Sequence, residues 1–267
     1  MDFLEALILG VLQGLTEFLP VSSSGHLELG ETLLGIKAKD PTLFAVIVHG
    51  ATALSTIFVF RERIVALSRS CFHGGPHSER TYALKILISM VPAGLVGLLF
   101  KEELEAFFSG RPILVGAMLL ITALLLFLSN RWSHGQRKLA YGTAFIIGVA
   151  QAFALMPGIS RSGATISTSL LLGVGRERAA EFSFLMVIPL LLGAMGKKLL
   201  DVIGTELGSN ISLGPLVLGF AAAFLSGVLA CKWMLRIVAR ARLSAFAIYC
   251  CILGILAIVG AFMFGNT

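Results

Sequence analysis

Charge is scarce in this chain. Only 13% of its 267 residues are Asp, Glu, Lys or Arg, where a soluble domain carries about 25%. That is too little to cover a globule of this size with a wetted surface. The formal charge of +6 is spread in short clusters between apolar runs, such as Arg61, Arg63 and Arg69, or Arg236, Arg240 and Arg242. Such clusters are typical of the cytoplasmic loops of a membrane protein and argue against a nucleic-acid partner. Cysteine is sparse too. Cys71, Cys231, Cys250 and Cys251 show no metal-ligand spacing, and three lie in apolar runs, so they read as small core residues. The start, Met1-Asp2-Phe3-Leu4-Glu5, has no basic stretch before its apolar run, and a cleaved signal peptide is not expected. What is abundant is apolar surface: 57% hydrophobic residues and a mean hydropathy of +0.91. A bilayer is the expected solvent.

A spanning helix needs about 20 mostly apolar residues. Six runs qualify, at about 42–60, 82–100, 113–131, 181–200, 214–235 and 244–264. Two more apolar stretches, about 3–35 and 140–173, are interrupted by Pro20-Val21-Ser22-Ser23-Ser24-Gly25 and by Pro157-Gly158-Ile159-Ser160-Arg161-Ser162-Gly163. Proline breaks a helix and serine favours the N-cap of a new one. Each stretch therefore reads as a short helix, a turn and a second short helix that leaves on the side it entered; the alternative is a kinked continuous span. Irregular backbone at membrane depth must face protein or a water-filled cavity.

Loop charges orient the spans. Basic residues dominate the loops 61–85, 131–138 and 236–242, and acids dominate 101–111. With the basic loops cytoplasmic, the six spans alternate and both termini lie outside. Lys197 and Lys198 fit this least well. The first broken hairpin then enters from outside and the second from the cytoplasm.

The two broken stretches are related. An offset of 138 aligns Ala6–Phe44 with Ala144–Phe182 without a gap and gives 12 identities in 39 positions, among them Gly10/Gly148, Gln13/Gln151, Ser22/Ser160, Ser24/Ser162 and Gly25/Gly163. The chain thus reads as one membrane domain, 1–267, built of repeats 1–135 and 136–267. The expected fold is an all-α polytopic inverted repeat, each half a broken re-entrant hairpin plus three transmembrane helices. An odd number of spans inverts the second half, and in such architectures broken helices aim their N-terminal dipoles at an anionic group.

Around the first turn, Gln13 and Glu17 are four apart and share a helix face. Glu17 is an ionisable group within an apolar segment, a functional candidate by default, with a snorkelling or paired carboxylate as its bland alternative. His26 stands beside three serines. In the second turn Arg161 lies between Ser160 and Ser162; a guanidinium at a helix start with hydroxyls beside it suits phosphate. An Arg161–Glu17 ion pair is the structural alternative and is compatible with catalysis. Under the offset, Glu17, Ser23 and His26 correspond to Leu155, Arg161 and Ala164. One half supplies nucleophile and acid–base groups and the other the cation, a division that favours catalysis. His49, in the first full span, reads as bonded to a neighbouring helix, with cavity lining as the alternative.

At these residues the chain resembles the undecaprenyl-diphosphatase, or bacitracin-resistance protein, family over essentially its whole length. The resemblance rests on Gln13 to His26, with Leu-Pro-Val-Ser-Ser-Ser-Gly-His at 19–26, and on Pro157 to Gly163. Position 13 is glutamine rather than glutamate, which bears on the charge available to any metal site. The resemblance implies hydrolysis of undecaprenyl diphosphate to the monophosphate and phosphate, recycling the lipid carrier for wall synthesis and conferring bacitracin tolerance. It also implies a bacterial cytoplasmic membrane, with the site open to the outer face.

The expected roles follow. Arg161 clamps the diphosphate with Ser160, Ser162 and Thr165, and Ser22, Ser24, Gly25 and Gly163 complete the phosphate-binding set. Glu17 with Gln13 holds a divalent cation, Mg2+ or Ca2+. Ser23 is the preferred nucleophile with His26 as its base; direct attack by His26, or water activated by it, is the competing assignment. The partners are a polyprenyl diphosphate and the bilayer, with room for a homodimer. A transporter or flippase of polyprenyl phosphate or another organic anion is the rival reading.

Overall fold

The computed structural model describes residues 2–34, 41–73, 76–100, 103, 111–132, 135–204, 213–240 and 243–264, and these are all-α apart from one isolated bridge, Arg137–Val174. Eleven helices are described: α1 Phe3–Phe18, α2 Ser23–Leu34, α3 Pro41–Val59, α4 Arg61–Phe72, α5 His77–Leu99, α6 Pro112–Trp132, α7 Tyr141–Phe153, α8 Arg161–Leu171, α9 Arg176–Gly204, α10 Leu213–Ala239 and α11 Ser244–Phe264. Helices α3, α5, α6, α9, α10 and α11 overlap the expected spans to within a residue of their ends. Among the described residues four helices, α5, α6, α10 and α11, are long and apolar enough to cross a membrane, and the pair α3–α4, bent by 74°, makes a fifth if it is taken as one span. The expected span 181–200 falls within the 29-residue α9. The protein is a multi-pass membrane protein.

Surface composition agrees. Leu84, Leu87, Val91, Leu95 and Leu98 stand exposed along α5 at helical spacing, a stripe that water would penalise and lipid tails accept. The segment 61–85, expected as a loop, is largely helix instead: α4 fills it and α5 begins at His77. Three ties explain the order. Arg80 Nε donates to Ser70 O (2.8 Å), and Arg63 bridges Glu79 (2.6 Å) and Glu181 (2.7 Å), so α4, α5 and α9 are joined.

The two interrupted stretches are helix–break–helix units. At 1.5 Å per residue, α1, α7 and α8 run about 24, 20 and 17 Å, short of the roughly 30 Å hydrocarbon core. A capping box starts α1: Asp2 Oδ1 accepts from Glu5 N and Glu5 Oε2 from Asp2 N, satisfying two first-turn donors. Past Phe18 the chain is extended at Leu19, and Ser22 takes a left-handed φ of 70°, uncommon for a residue with a Cβ. Between α7 and α8 the reversal falls on Gly158, φ 91°, which glycine adopts at little cost.

Packing fixes which helices meet the breaks. α1 lies against α10 and α3, α7 against α5, α8 against α6, α3 against α9, and α6 against α11. Glycine makes two of these approaches possible. A Cβ on Gly10 would run into Gly219 O of α10, and one on Gly148 into Ser89 O of α5. Small residues at such seams let helix backbones close in.

Candidate active site

The two turns are built by the same hydrogen bonds. Ser22 Oγ accepts from Gly25 N (3.3 Å), and Ser160 Oγ accepts from Gly163 N (3.1 Å). Ser22 Oγ lies 3.4 Å from Ser24 Oγ, and Ser160 Oγ lies 3.1 Å from Ser162 Oγ. Each pairing recurs at the offset of 138. A serine thus caps the helix that follows each break and satisfies one first-turn donor. The turns also touch: Ser162 Oγ donates to Leu19 O (3.2 Å). Two helix N-termini, those of α2 and α8, therefore converge, and a helix N-terminus favours an anion.

Glu17, in the last turn of α1, is the hub. Its Oε1 accepts from Arg161 Nη2 (2.5 Å), and its Oε2 accepts from Ser23 Oγ (2.7 Å) and Gln13 Nε2 (2.9 Å). The Arg161–Glu17 ion pair, the structural alternative to a phosphate clamp, is present. The side chain of Glu17 is 8% exposed and that of Arg161 21%, so neither is well solvated and each relies on the other. Gln13 Nε2 also lies 2.8 Å from His49 Nδ1. A carboxylate only accepts, so the Gln13 atom facing Glu17 is nitrogen. Nδ1 of His49 then accepts, and the ring proton stands on Nε2. His49 is bonded to a neighbouring helix, as expected, and it also lines the site.

That site is a cavity of about 160 Å3, lined by Glu17, Ser23, Ser24, His49, Ser160 and Arg161 with Thr16 and the apolar Ala154, Leu155 and Ile159. Of the expected residues it gathers Glu17, Ser23, Ser24, Ser160 and Arg161. Ser162 and Thr165 face a second, smaller cavity beyond the Glu17–Arg161 pair. Ser22, Gly25 and Gly163 line neither cavity; their described bonds close the turns.

His26 departs from its expected pairing. Nδ1 lies 2.8 Å from Ser22 O and Nε2 2.7 Å from Tyr249 Oη, with the two rings stacked at 5.6 Å. A carbonyl only accepts, so Nδ1 carries the proton and Nε2 accepts from the phenol. Both nitrogens are engaged away from Ser23, whose hydroxyl meets Glu17 instead. The reason is geometric: the left-handed Ser22 starts α2 at Ser23, and three residues of helix carry His26 round towards α11. Sequence reasoning did not single out Tyr249 or Thr16. Tyr249 sits in an apolar helix with nothing nearby in sequence to mark it.

Among the described residues no group of three or more His, Cys, Asp or Glu could hold a metal by itself. One observation does fit a cation. Gln13 Oε1 is buried and has no partner, a hard oxygen beside the Glu17 carboxylate, and Mg2+ commonly uses one or two such ligands together with substrate phosphates.

A carboxylate, a guanidinium and a serine hydroxyl meet at two helix N-termini inside a bundle with membrane-length helices, and the fold is that of a polytopic membrane protein. The chain belongs to the family described as bacitracin resistance protein BacA, whose family model matches residues 6–256. It is 52% identical over 264 residues to the undecaprenyl-diphosphatase of Christiangramia forsetii, covering 98% of this chain and 99% of that one. It is 48% identical over 263 residues to the undecaprenyl-diphosphatase of Bacteroides fragilis strain ATCC 25285, covering 97% and 98%. The likeness reaches the archaeon Methanobrevibacter smithii, whose undecaprenyl-diphosphatase is 36% identical over 279 residues, 98% of each chain.

Proposed function

We propose that this protein hydrolyses undecaprenyl diphosphate to undecaprenyl phosphate and inorganic phosphate, recycling the carrier for wall synthesis and conferring bacitracin resistance. The observation that carries the reading is the contact set of Glu17: one oxygen on Arg161, the other on Ser23 Oγ. The names of the relatives point to the same reaction.

The terminal phosphate takes Arg161 as its counter-ion, with Ser24, Ser160 and the first-turn amides of α2 and α8 around it. Phosphoryl transfer depends mainly on such positioning and charge stabilisation. Losing Arg161 to the substrate leaves Glu17 a stronger base for the hydroxyl it already touches. Ser23 Oγ attacks the terminal phosphorus, the bond to the bridging oxygen breaks, and the Ser23 proton passes through Glu17 to the leaving monophosphate. Water then cleaves the phosphoserine. A divalent cation, Mg2+ or Ca2+, held by Glu17 and Gln13 together with phosphate oxygens, would neutralise the diphosphate. His26 braces α2 through Ser22 O and Tyr249.

The architecture in this reading is an inverted repeat. The contact pattern supports it: α1 of the first half packs on α10 of the second, and α7 of the second packs on α5 of the first, while α3–α9 and α6–α11 pair across the middle. A pseudo-two-fold axis requires that combination of exchanged and self-paired contacts. The short arms α1–α2 and α7–α8 are re-entrant hairpins. The protein lies in the cytoplasmic membrane with the first hairpin, and the site, open to the outer face.

Phosphate release from a long-chain polyprenyl diphosphate by purified protein in detergent tests the reading. Release by wild type, lost in Arg161→Ala and in chelator, is the expected outcome. No release from folded wild type with metal present would turn the question to lipid translocation.

A further inference from the structure

Beyond the Glu17–Arg161 pair lies the second cavity. It offers about 20 Å3 to the centres of water-sized molecules, and Thr56, Gln151, Ser162, Thr165 and Ser183 line it together with the ion pair itself. Its polar groups are deeply buried and short of partners. Gln151 is 1% exposed and neither of its amide atoms is hydrogen-bonded; Ser183 is 4% exposed and its Oγ has no partner.

Gln151 is the counterpart of Gln13 under the offset of 138. Gln13 serves the Glu17 carboxylate and His49. In the second turn the position matching Glu17 is Leu155, so the Gln151 amide has no carboxylate to meet and faces the cavity. Buried polar groups left unpartnered are costly, and natural proteins pair nearly all of them, with ordered water where protein groups do not reach. About 10–15 Å3 of such space suffices for one water, which needs two to four polar partners. Gln151 Nε2 and Ser183 Oγ can donate to it. Gln151 Oε1 can accept, as can Thr165 Oγ1, whose own proton goes to Arg161 O (2.8 Å). Phosphate is too large for the space, which matches a single water.

We infer that this cavity holds a resident water, bound by Gln151 and Ser183, which is the nucleophile of the second half-reaction. The inference rests on the phosphoserine reading above. While the polyprenyl monophosphate formed in the first step still fills the larger cavity it blocks that route to bulk water, and a water held behind the Glu17–Arg161 pair is the one within reach. The Glu17–Arg161 pair separates the two cavities, and it opens when Arg161 turns to the substrate phosphate. The water oxygen then forms its bond to the phosphorus of phospho-Ser23, the P–Oγ bond breaks, and the proton that the water gives up goes to Ser23 Oγ, releasing inorganic phosphate.

Gln151 is on this account a positioning residue, and it separates the two steps. Polyprenyl diphosphate labelled in its terminal phosphate would be mixed with wild type, Gln151→Leu and Ser183→Ala, and quenched at intervals. The expected result in both variants is an undiminished first-turnover burst of monophosphate, with label accumulating on Ser23 and phosphate released about tenfold more slowly, the scale of one lost positioning hydrogen bond. Phospho-Ser23 that decays at the wild-type rate in folded Gln151→Leu overturns the inference, as does a parallel fall of both steps. Label absent from Ser23 in all three proteins would remove the phosphoserine reading and with it the second-step role. The water site itself is read separately, from density bridging Gln151 and Ser183 in an experimental map that resolves waters. An empty cavity there overturns it.

Discussion

The first and second turns share a skeleton and differ in chemistry. In both, a serine caps the following helix through the amide three residues on, a second serine sits beside the first, and a glycine in the preceding arm admits the backbone of a helix from the other half. Yet Glu17, Ser23 and His26 stand opposite Leu155, Arg161 and Ala164. The repeated turn brings two helix N-termini together, and the divergence then places a carboxylate and a serine hydroxyl on one side and a guanidinium on the other. Substitutions in the scaffold should act alike in the two halves, and substitutions in the chemistry should not.

The largest effect should come from Arg161→Ala. Loss of an electrostatic clamp costs on the order of 10²- to 10³-fold in turnover, read as phosphate release. Glu17 is then left buried without its counter-ion, at a cost of about 3 kcal/mol. Adding Glu17→Gln should restore the melting temperature in detergent and leave the protein inactive. Exchanging the chemistry across the turns, Glu17→Leu with Leu155→Glu, should be as inactive as Glu17→Ala, because Ser23 Oγ loses its acceptor. Appreciable activity in that exchange would break the comparison.

Smaller and symmetric losses are expected from the scaffold. Gly10→Ala and Gly148→Ala each force a Cβ into a backbone carbonyl of the opposite half, and each should destabilise by about 1–3 kcal/mol. Gly94→Ala, with open space around it, should be near neutral or gain slightly from helix propensity. A marked difference between the first two would argue against equivalent halves. The smallest loss of activity should come from Tyr249→Phe. It removes the donor to His26 Nε2, worth about 0.5–1.5 kcal/mol, and should lower activity a few-fold with the melting temperature little altered.

Much of this was legible in the sequence because the bilayer makes sequence patterns strict. Apolar runs of membrane length became the long helices, and the Pro-Ser-Gly interruptions became the breaks. Ion pairing between Glu17 and Arg161 could be expected because each charge at that depth needs a partner. What escaped depends on backbone direction. The left-handed Ser22 decides that Ser23, and not His26, faces Glu17, and no residue type announces it, since serine rarely adopts that conformation. Tyr249 escaped because its partner is 223 positions away. The helix α4 was hidden by its charges, which read as a loop until Arg63 met Glu79 and Glu181 and Arg80 met the Ser70 carbonyl, across three helices.

One consequence of the Glu17–Arg161 pair concerns the lipids that surround the protein. The cation is already occupied when a headgroup arrives, so a ligand must outcompete a carboxylate held in place by Ser23 and Gln13. Ordinary phospholipids carry a single phosphodiester charge and outnumber the carrier lipid greatly, yet they offer Arg161 less than it already has. A terminal phosphate with two ionisable oxygens offers more. On the proposed reading, the pair acts as an admission threshold set in units of charge.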